Sequence, residues 1–515
     1  MALLCKISRF WPLAITSVFA ALQIWGGLNH EMWRDELQAW LLARDSDWPW
    51  NIPHNIRYEG HPGLWHLILW IPSHLSSNPI WMQVIHGCIA TACAWLWWRH
   101  APLPWWVRIP LPFGYFFFYQ YAIIARNYGI SALLLFAIAH RVRLKWKAAV
   151  GTGILIALLC HTNAHSMILL LGCLPWVGLL YLWHYYKDNH DARKSFRSVT
   201  LGGAIAIIGL TTSVYQVIPP EDSGYASEWH LEWEDKRALN TSRCIVQAYA
   251  PVPLKSDHSL GGNILYNSQR GWGWLEWKNS HWGAGVALIL AAACLIRSPF
   301  LLLPFITATF GLWAFFYIKF PGSIRHHGFL VLIWLSLLWV GQLWKDSNER
   351  KSWRSWTRNA VLHIVLLFWC GLSLLGSWNA FSVTIEHTFS HGKSAGRYIR
   401  DHFENDVIVT GNHRGPWLST VVGYAEVPEA YYMGRRSWAS YVIWDQHWRT
   451  RPTFREIYND LLNLSEEFPN RDIVFVSEQQ RSFYFPGFRF ELLADFTGPA
   501  TIGEKYVLYQ VKPES

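Results

Sequence analysis

The stretch "RFWPLAITSVFAALQIWGGLNHEMWRDELQAW", residues 9–40, decides how the chain is read. Its apolar run, near Phe10–Gly27, is long enough to cross a bilayer. Directly behind that run stand two adjacent carboxylates, Asp35 and Glu36, among tryptophans. They either cap a helix or do chemistry. The apolar part could be a signal peptide, but it is long and has no small-x-small cleavage site, so it reads as a retained first helix. Runs of this kind recur over the first three quarters of 515 residues, of which 52% are hydrophobic and 15% charged. A globular chain carries about 25% charged residues. The expectation is an α-helical polytopic membrane protein.

The formal charge of +9 does not point to nucleic acid. Lys and Arg fall in short clusters between apolar runs: Lys6 with Arg9, Arg99 with Arg108, Arg141 to Lys147, Lys187 to Arg197, Arg297, and Lys345 to Arg358. That is the positive-inside pattern. With each cluster cytoplasmic, about eleven transmembrane helices fit, near 10–28, 79–97, 109–125, 127–140, 148–160, 166–185, 198–217, 282–297, 299–317, 328–344 and 359–377. The eight cysteines form no CxxC and no zinc spacing.

The same assignment places residues 29–78, the turns at Arg126 and at His161 to His165, a Trp- and Glu-rich loop 218–281, the loop 318–327 and the C-terminus together on the extracytoplasmic side. The long loop either contains an interfacial helix or covers a site. The chain divides into a transmembrane region, 1–377, and a C-terminal extracytoplasmic domain, 378–515. In the latter, "AGRYIRDHF" and "FREIYNDLLNLSEEF" are helical, while "DVIVTG", "DIVFVS" and "KYVLYQV" are strands. This predicts a small α/β domain.

Five polar clusters lie on that outer side. In "RDELQAWLLARDS", Trp33, Leu37, Trp40 and Leu41 share one helical face while Asp35 points away, as in a helix lying on the membrane surface. Asp35 and Gln38 also have the spacing of a capping box, with Asp35 as N-cap. In "RYEGHPGLW", Glu59 and His61 flank Gly60, and Pro62 is placed to start a helix. This pair suits a divalent cation, a sugar hydroxyl or a plain surface turn. "ARNYG" supplies Arg126 and Tyr128, "CHTNAHS" supplies His161 and His165, and "GSIRHHG" supplies Arg325 and His326. A single Arg at a helix end often just snorkels to headgroups. Three such clusters facing two acidic ones read as a site. Cations suit a phosphate that leaves as charge develops, and a carboxylate suits a base for the attacking hydroxyl.

"RDELQAW", "YEGHPGLW", "ARNYG", "HTNAHS" and "RHHG", in this order, resemble the GT-C superfamily of membrane glycosyltransferases, which use polyprenyl-phosphate-linked sugars. The resemblance covers about residues 10–345 and is to the broad bacterial group that includes protein O-mannosyltransferases and aminoarabinose transferases. It implies Asp35 as catalytic acid or base with Glu36 beside it, and Glu59 and His61 as a metal-binding pair in some members. It places Arg126, Tyr128, His161, His165, Arg325 and His326 near the donor phosphate or sugar. "HPG" stands where many members have two prolines. The resemblance implies transfer of a sugar to a lipid, glycan or protein hydroxyl with inversion, Asp35 acting as general base. A multi-pass inner-membrane location is expected, with the N-terminus placed in the cytoplasm by the Lys and Arg clusters. Two other readings stay open: a transporter or flippase of lipid-linked sugars, and a non-catalytic glycan- or lipid-binding protein. A transporter places ionisable groups near the bilayer midplane, whereas these helices are nearly free of Asp and Glu. Trp33, Trp40 and Trp65 are candidates for stacking on sugar rings.

Overall fold

The computed structural model describes residues 2–142, 148–187, 192–224, 229–252, 280–296, 298–343, 360–404, 406–412, 416–433, 435–447, 452–502 and 504–514. In chain order the longer helices begin with α1 (Ala2–Asn29), α2 (Arg34–Arg44), α3 (Leu64–Leu75) and α4 (Ile80–His100). A π-helix spans Tyr115–Ile123, followed by α5 (Tyr128–Arg141), α6 (Ala149–Cys160), α7 (Ala164–Lys187) and α8 (Ala192–Val217). Then come α9 (Asp235–Tyr249), α10 (Ser280–Leu295), α11 (Leu302–Ile318), α12 (Ile324–Leu343) and α13 (Ala360–Glu386). Each of the eleven expected spans is met by a helix. Six stretches among the described residues are long and apolar enough to cross a membrane: Trp11–Asn29, Ile80–His100, Phe196–Val217, Pro299–Ile318, Ile324–Leu343 and Leu362–Glu386. Four shorter apolar helices accompany them. The last span runs to Glu386, nine residues beyond its expected end at 377.

The chain forms two compact units. The first comprises Met1–Trp25, His86–Tyr215 and Glu228–Ser382. Its central element is α12, buried at every residue from Ile324 to Gly341. Beyond the polar first turn with Arg325, His326 and His327 it is apolar on nearly every side, and such a helix has no face suited to water, so it becomes the core. By contrast, Leu201, Ile207 and Ile208 of α8 are exposed, as lipid-facing residues are. Of the long loop 218–281, residues 225–228 and 253–279 lie outside the described residues. The rest contains α9, whose buried face, including Ala238, Cys244 and Ala248, packs on α10 and α12.

The second unit comprises Gly26–Ile85, Gln216–Ser227 and Val383–Ser515. The stretch expected as a separate first outer loop is thus folded into the same body as the C-terminal domain. That domain adds α14 (Gly392–His402), β1 (Ile408–Gly411), α15 (Pro416–Ala425), β2 (Ala430–Tyr432), β3 (Ser437–Ala439), α16 (Phe454–Glu467), β4 (Ile473–Ser477), β5 (Phe488–Phe496) and β6 (Tyr506–Pro513). The strands form one sheet in the order β3-β2-β1-β4-β6-β5. β1 pairs in parallel with β2 and β4, and the outer pairs are antiparallel. Ile457, Leu461 and Leu464 of α16 pack on Ile408, Ile473 and Phe475 of one sheet face. A reciprocal cap starts α16: Thr453 Oγ1 accepts from Glu456 N, and Glu456 Oε2 accepts from Thr453 N.

Helix α2 departs from the expectation. All residues from Glu36 to Ala43 are buried, so it is a core helix of the second unit and does not lie on a membrane surface. It packs against α3 and α15. Trp33, Trp40 and Trp65 are likewise enclosed, which rules out stacking by these three on a sugar.

Candidate active site

The acidic side begins with how α2 is held. It starts at Arg34, with Trp33 as N-cap. Asp35 is therefore the second helical residue and not the cap, and the expected Asp35–Gln38 box does not form. Glu36 takes the capping role instead. Its Oε2 accepts from Trp33 N at 3.3 Å and lies 2.8 Å from His30 Nε2. Both side chains of the Glu36–His30 pair are fully buried. The neighbouring backbone is tied by residues distant in sequence. Glu31 Oε2 accepts from Phe389 N at 2.8 Å, Tyr424 Oη accepts from Met32 N at 2.7 Å, and Glu504 Oε1 accepts from Arg34 N at 3.3 Å. Helix starts carry N–H groups with no partner inside the helix, and here side chains supply several of the acceptors.

Asp35 sits differently within the same clamp. Its side chain is 22% exposed, and Arg34 Nε stands 3.8 Å from Oδ1. It occupies the first turn, where the helix dipole favours negative charge. The adjacent acids thus divide: Glu36 builds the helix start, and Asp35 is presented from it.

Gln38, one turn on, joins the second acidic cluster to this helix. Its Nε2 donates to Glu59 Oε1 at 2.9 Å and to the Val442 carbonyl at 2.6 Å, while its Oε1 accepts from Val442 N at 3.0 Å. Gly60 follows Glu59 with φ +65°, a conformation that costs a side-chain-bearing residue about 1–2 kcal/mol. It turns the chain so that Glu59 and His61, both partly exposed, lie on either side. Pro62 precedes α3, which begins at Leu64 with Gly63 as N-cap. Among the described residues, no three of His, Cys, Asp and Glu gather into a metal-ligand group. Glu59 and His61 thus belong to no such group, and Glu59 is oriented by the Gln38 amide.

Glu504 is fully buried, and its carboxyl is pushed up to about 7, first by burial, with Asp35 adding to it and Arg34 opposing. Its proton is held more tightly in the folded chain than in the unfolded one. Its contribution to stability is therefore full below the unfolded carboxyl range and is lost as pH rises through about 7. Glu504→Gln should flatten the fall in melting temperature between pH 5 and pH 8. Equal slopes in wild type and variant would remove Glu504 from this role.

The basic side lies in the first unit. Ser323 N donates to His326 Nδ1 at 2.8 Å, so that nitrogen carries no proton. The ring proton is then on Nε2, which lies 2.8 Å from Tyr128 Oη. His326 thus donates to the phenol, and the Tyr128 hydroxyl proton points elsewhere. His165 stacks on His326 with ring centroids 4.7 Å apart. Arg325 precedes His326 in the first turn of α12 and is buried, its carbonyl accepting from Tyr121 Oη. Arg126 is partly exposed just before α5. Beside them Asn127 Nδ2 donates to the Thr162 carbonyl, Asn163 Nδ2 donates to Ser131 Oγ, and Asn163 Oδ1 accepts from Ser166 N at the start of α7. The structure therefore joins Tyr128, His165 and His326 directly. His161 is directed elsewhere, 3.0 Å from Thr212 Oγ1 of α8.

Sequence reasoning missed His30, Tyr424, Ser323, Asn127 and Glu504. Asn127 and Asn163 stood inside quoted motifs. Tyr424 and Glu504 lie some four hundred residues or more from their partners Met32 and Arg34, and no local pattern marks them.

The chain is a membrane protein built of a helical bundle and a small C-terminal α/β domain, and it shares its fold with a solved membrane protein. The crystal structure of ArnT from Cupriavidus metallidurans in the apo state aligns over 98% of this chain and 98% of that one, with 11% identity and a TM-score of 0.54. A crystal structure of the same protein bound to undecaprenyl phosphate aligns over 97% of this chain and 98% of that one, with 11% identity and a TM-score of 0.48. No family model matches the sequence, and no curated protein matches it.

Proposed function

We propose that the protein is a membrane glycosyltransferase that moves a sugar from a polyprenyl-phosphate donor to an acceptor hydroxyl on the extracytoplasmic face. The observation that carries this reading is the division within the acidic pair: Glu36 is committed to the helix start, and Asp35 is held partly exposed on a rigid support. A base needs that rigidity and access. Asp35 accepts the acceptor's hydroxyl proton as its oxygen bonds to the anomeric carbon. The bond from that carbon to the phosphate oxygen breaks on the opposite face, and the polyprenyl phosphate departs with the electron pair. One displacement inverts the anomeric centre. Glu59 and His61 hydrogen-bond hydroxyls of the sugar. Their motifs assign Arg126, Arg325, Tyr128 and His165 to the phosphate; Arg126 is partly exposed, Arg325, Tyr128 and His165 are buried, and His326 orients Tyr128. No role falls to His161, which is bonded to Thr212.

The scarcity of acids within the apolar helices speaks against a transporter reading, since a conduit for a charged lipid needs polar groups at mid-depth. Deleting the gene and comparing envelope glycans and glycolipids by mass spectrometry tests the proposal: one species should lose a single sugar. An unchanged inventory in which lipid-linked sugar accumulates on the cytoplasmic side would favour a flippase instead.

Tyr128→Phe removes the hydroxyl assigned here to the leaving phosphate and takes the acceptor from His326. Hydrogen bonds to charged groups contribute about 1.5–3 kcal/mol. Turnover should fall about ten- to hundredfold, with KM for the acceptor unchanged. A rise in acceptor KM at constant kcat would contradict the assignment.

A further inference from the structure

The C-terminal sheet carries a cavity at its strand ends. The chain leaves β1 for β2 on one side and later returns to β4 on the other, both parallel to β1. The gap between the carboxyl ends of β1 and β4 is thus a topological switch point, where open α/β sheets bind ligands. Gly411 ends β1 there, and a Cβ on it would strike the carbonyl of Val476 in β4. A cavity of about 330 Å³ opens beyond these strand ends, lined by Trp417, Glu478, Gln479, Gln480, Thr497 and Lys505. A smaller one, of about 30 Å³, shares Glu478 and Gln479 and adds Asn412 and Arg481.

The lining selects a chemistry. One indole stands among a carboxylate, an ammonium, two amides and a hydroxyl, and the two charges cancel. An alkyl chain would bury polar groups without partners. A phosphate would face the carboxylate of Glu478. A neutral polyhydroxylated ring suits both parts, with its apolar face on Trp417 and its hydroxyls on the polar groups. The wall also leads to the base. The Arg34 guanidinium lies 5.8 Å from the centroid of the Trp417 ring, and Arg34 Nε is 3.8 Å from Asp35. Lys505 directly follows Glu504, which accepts the Arg34 N–H.

We infer that this cavity is the acceptor subsite and that it takes a carbohydrate ring of the acceptor, stacked on Trp417 beside Arg34. This rests on the transferase reading above. The test uses the full-length protein in lipid nanodiscs, free of sugar-headed detergent. The probes are the methyl glycosides of glucose, mannose and N-acetylglucosamine, read by saturation-transfer NMR. At least one should show ring-proton contacts. Trp417→Leu should abolish them, and the exposed-side pair Gln480→Ala with Lys505→Ala should weaken binding about tenfold at an unchanged melting temperature. Asp35→Asn should bind as wild type. No contacts from any of the three glycosides, or wild-type binding by the cavity variants, would overturn the subsite. Glycoside binding in a protein that transfers no sugar would leave the subsite standing and remove the transferase reading. Sugar transfer with wild-type acceptor KM in the cavity variants would do the reverse.

Discussion

Asp35→Asn is expected to lower kcat about 10³-fold, within the range that a positioned general base contributes, and to leave the melting temperature close to wild type. The two halves of this expectation have one cause. Asp35 is the second residue of α2 and its side chain is 22% exposed, so the clamp on the helix start does not depend on it. That clamp is made by Glu36, Glu31, Tyr424 and Glu504. Asparagine keeps the size of the side chain, but it loses the charge that faces Arg34 and the capacity to take a proton. Binding of the donor should be unaltered. Wild-type turnover would return Asp35 to a residue of the helix start.

Glu36→Ala is expected to behave in the opposite way. Glu36 is wholly buried, and its loss leaves His30 and the Trp33 N–H without their acceptor. Breaking a buried pair by removing one partner costs about 3–5 kcal/mol. The variant should express poorly or melt well below wild type. Whatever folds should keep a substantial fraction of wild-type kcat, measured per active molecule. A stable Glu36→Ala protein without activity would mean that the two acids share the chemistry.

Much of this was legible in the sequence. The apolar runs marked eleven helices, among them the six long and apolar enough to cross a membrane, because length and continuity are strong signals in a bilayer, while α3 went unmarked. In the C-terminal domain, "DVIVTG", "DIVFVS" and "KYVLYQV" are the three central strands, β1, β4 and β6, where burial on both faces leaves a plain apolar pattern. β2 and β3 are only three residues each, too short for periodicity to register. α15, "PWLSTVVGYA", is apolar and β-branched, a run that helix and strand share. The amphipathic pattern of α2 was real, but its partner was misjudged. Leu37, Trp40 and Leu41 cover protein and not lipid, and that cover comes from α3 and from the return of the chain some 380 residues later as α15. The same distance hid the clamp, since Tyr424 and Glu504 give no sign in sequence that they hold residues 32 and 34.

The central claim is that a sugar leaves a lipid-linked phosphate at this site. The direct measurement reconstitutes the purified protein in vesicles with defined polyprenyl-phosphate sugars and an envelope extract from a strain lacking the gene. Mass spectrometry then follows free polyprenyl phosphate and the extract's glycolipids and glycans. One donor should be consumed, polyprenyl phosphate should appear in equal amount with one sugar-bearing product, and both should be absent with Asp35→Asn. Donor that crosses the bilayer intact, with no polyprenyl phosphate released by the wild-type protein, would contradict the claim.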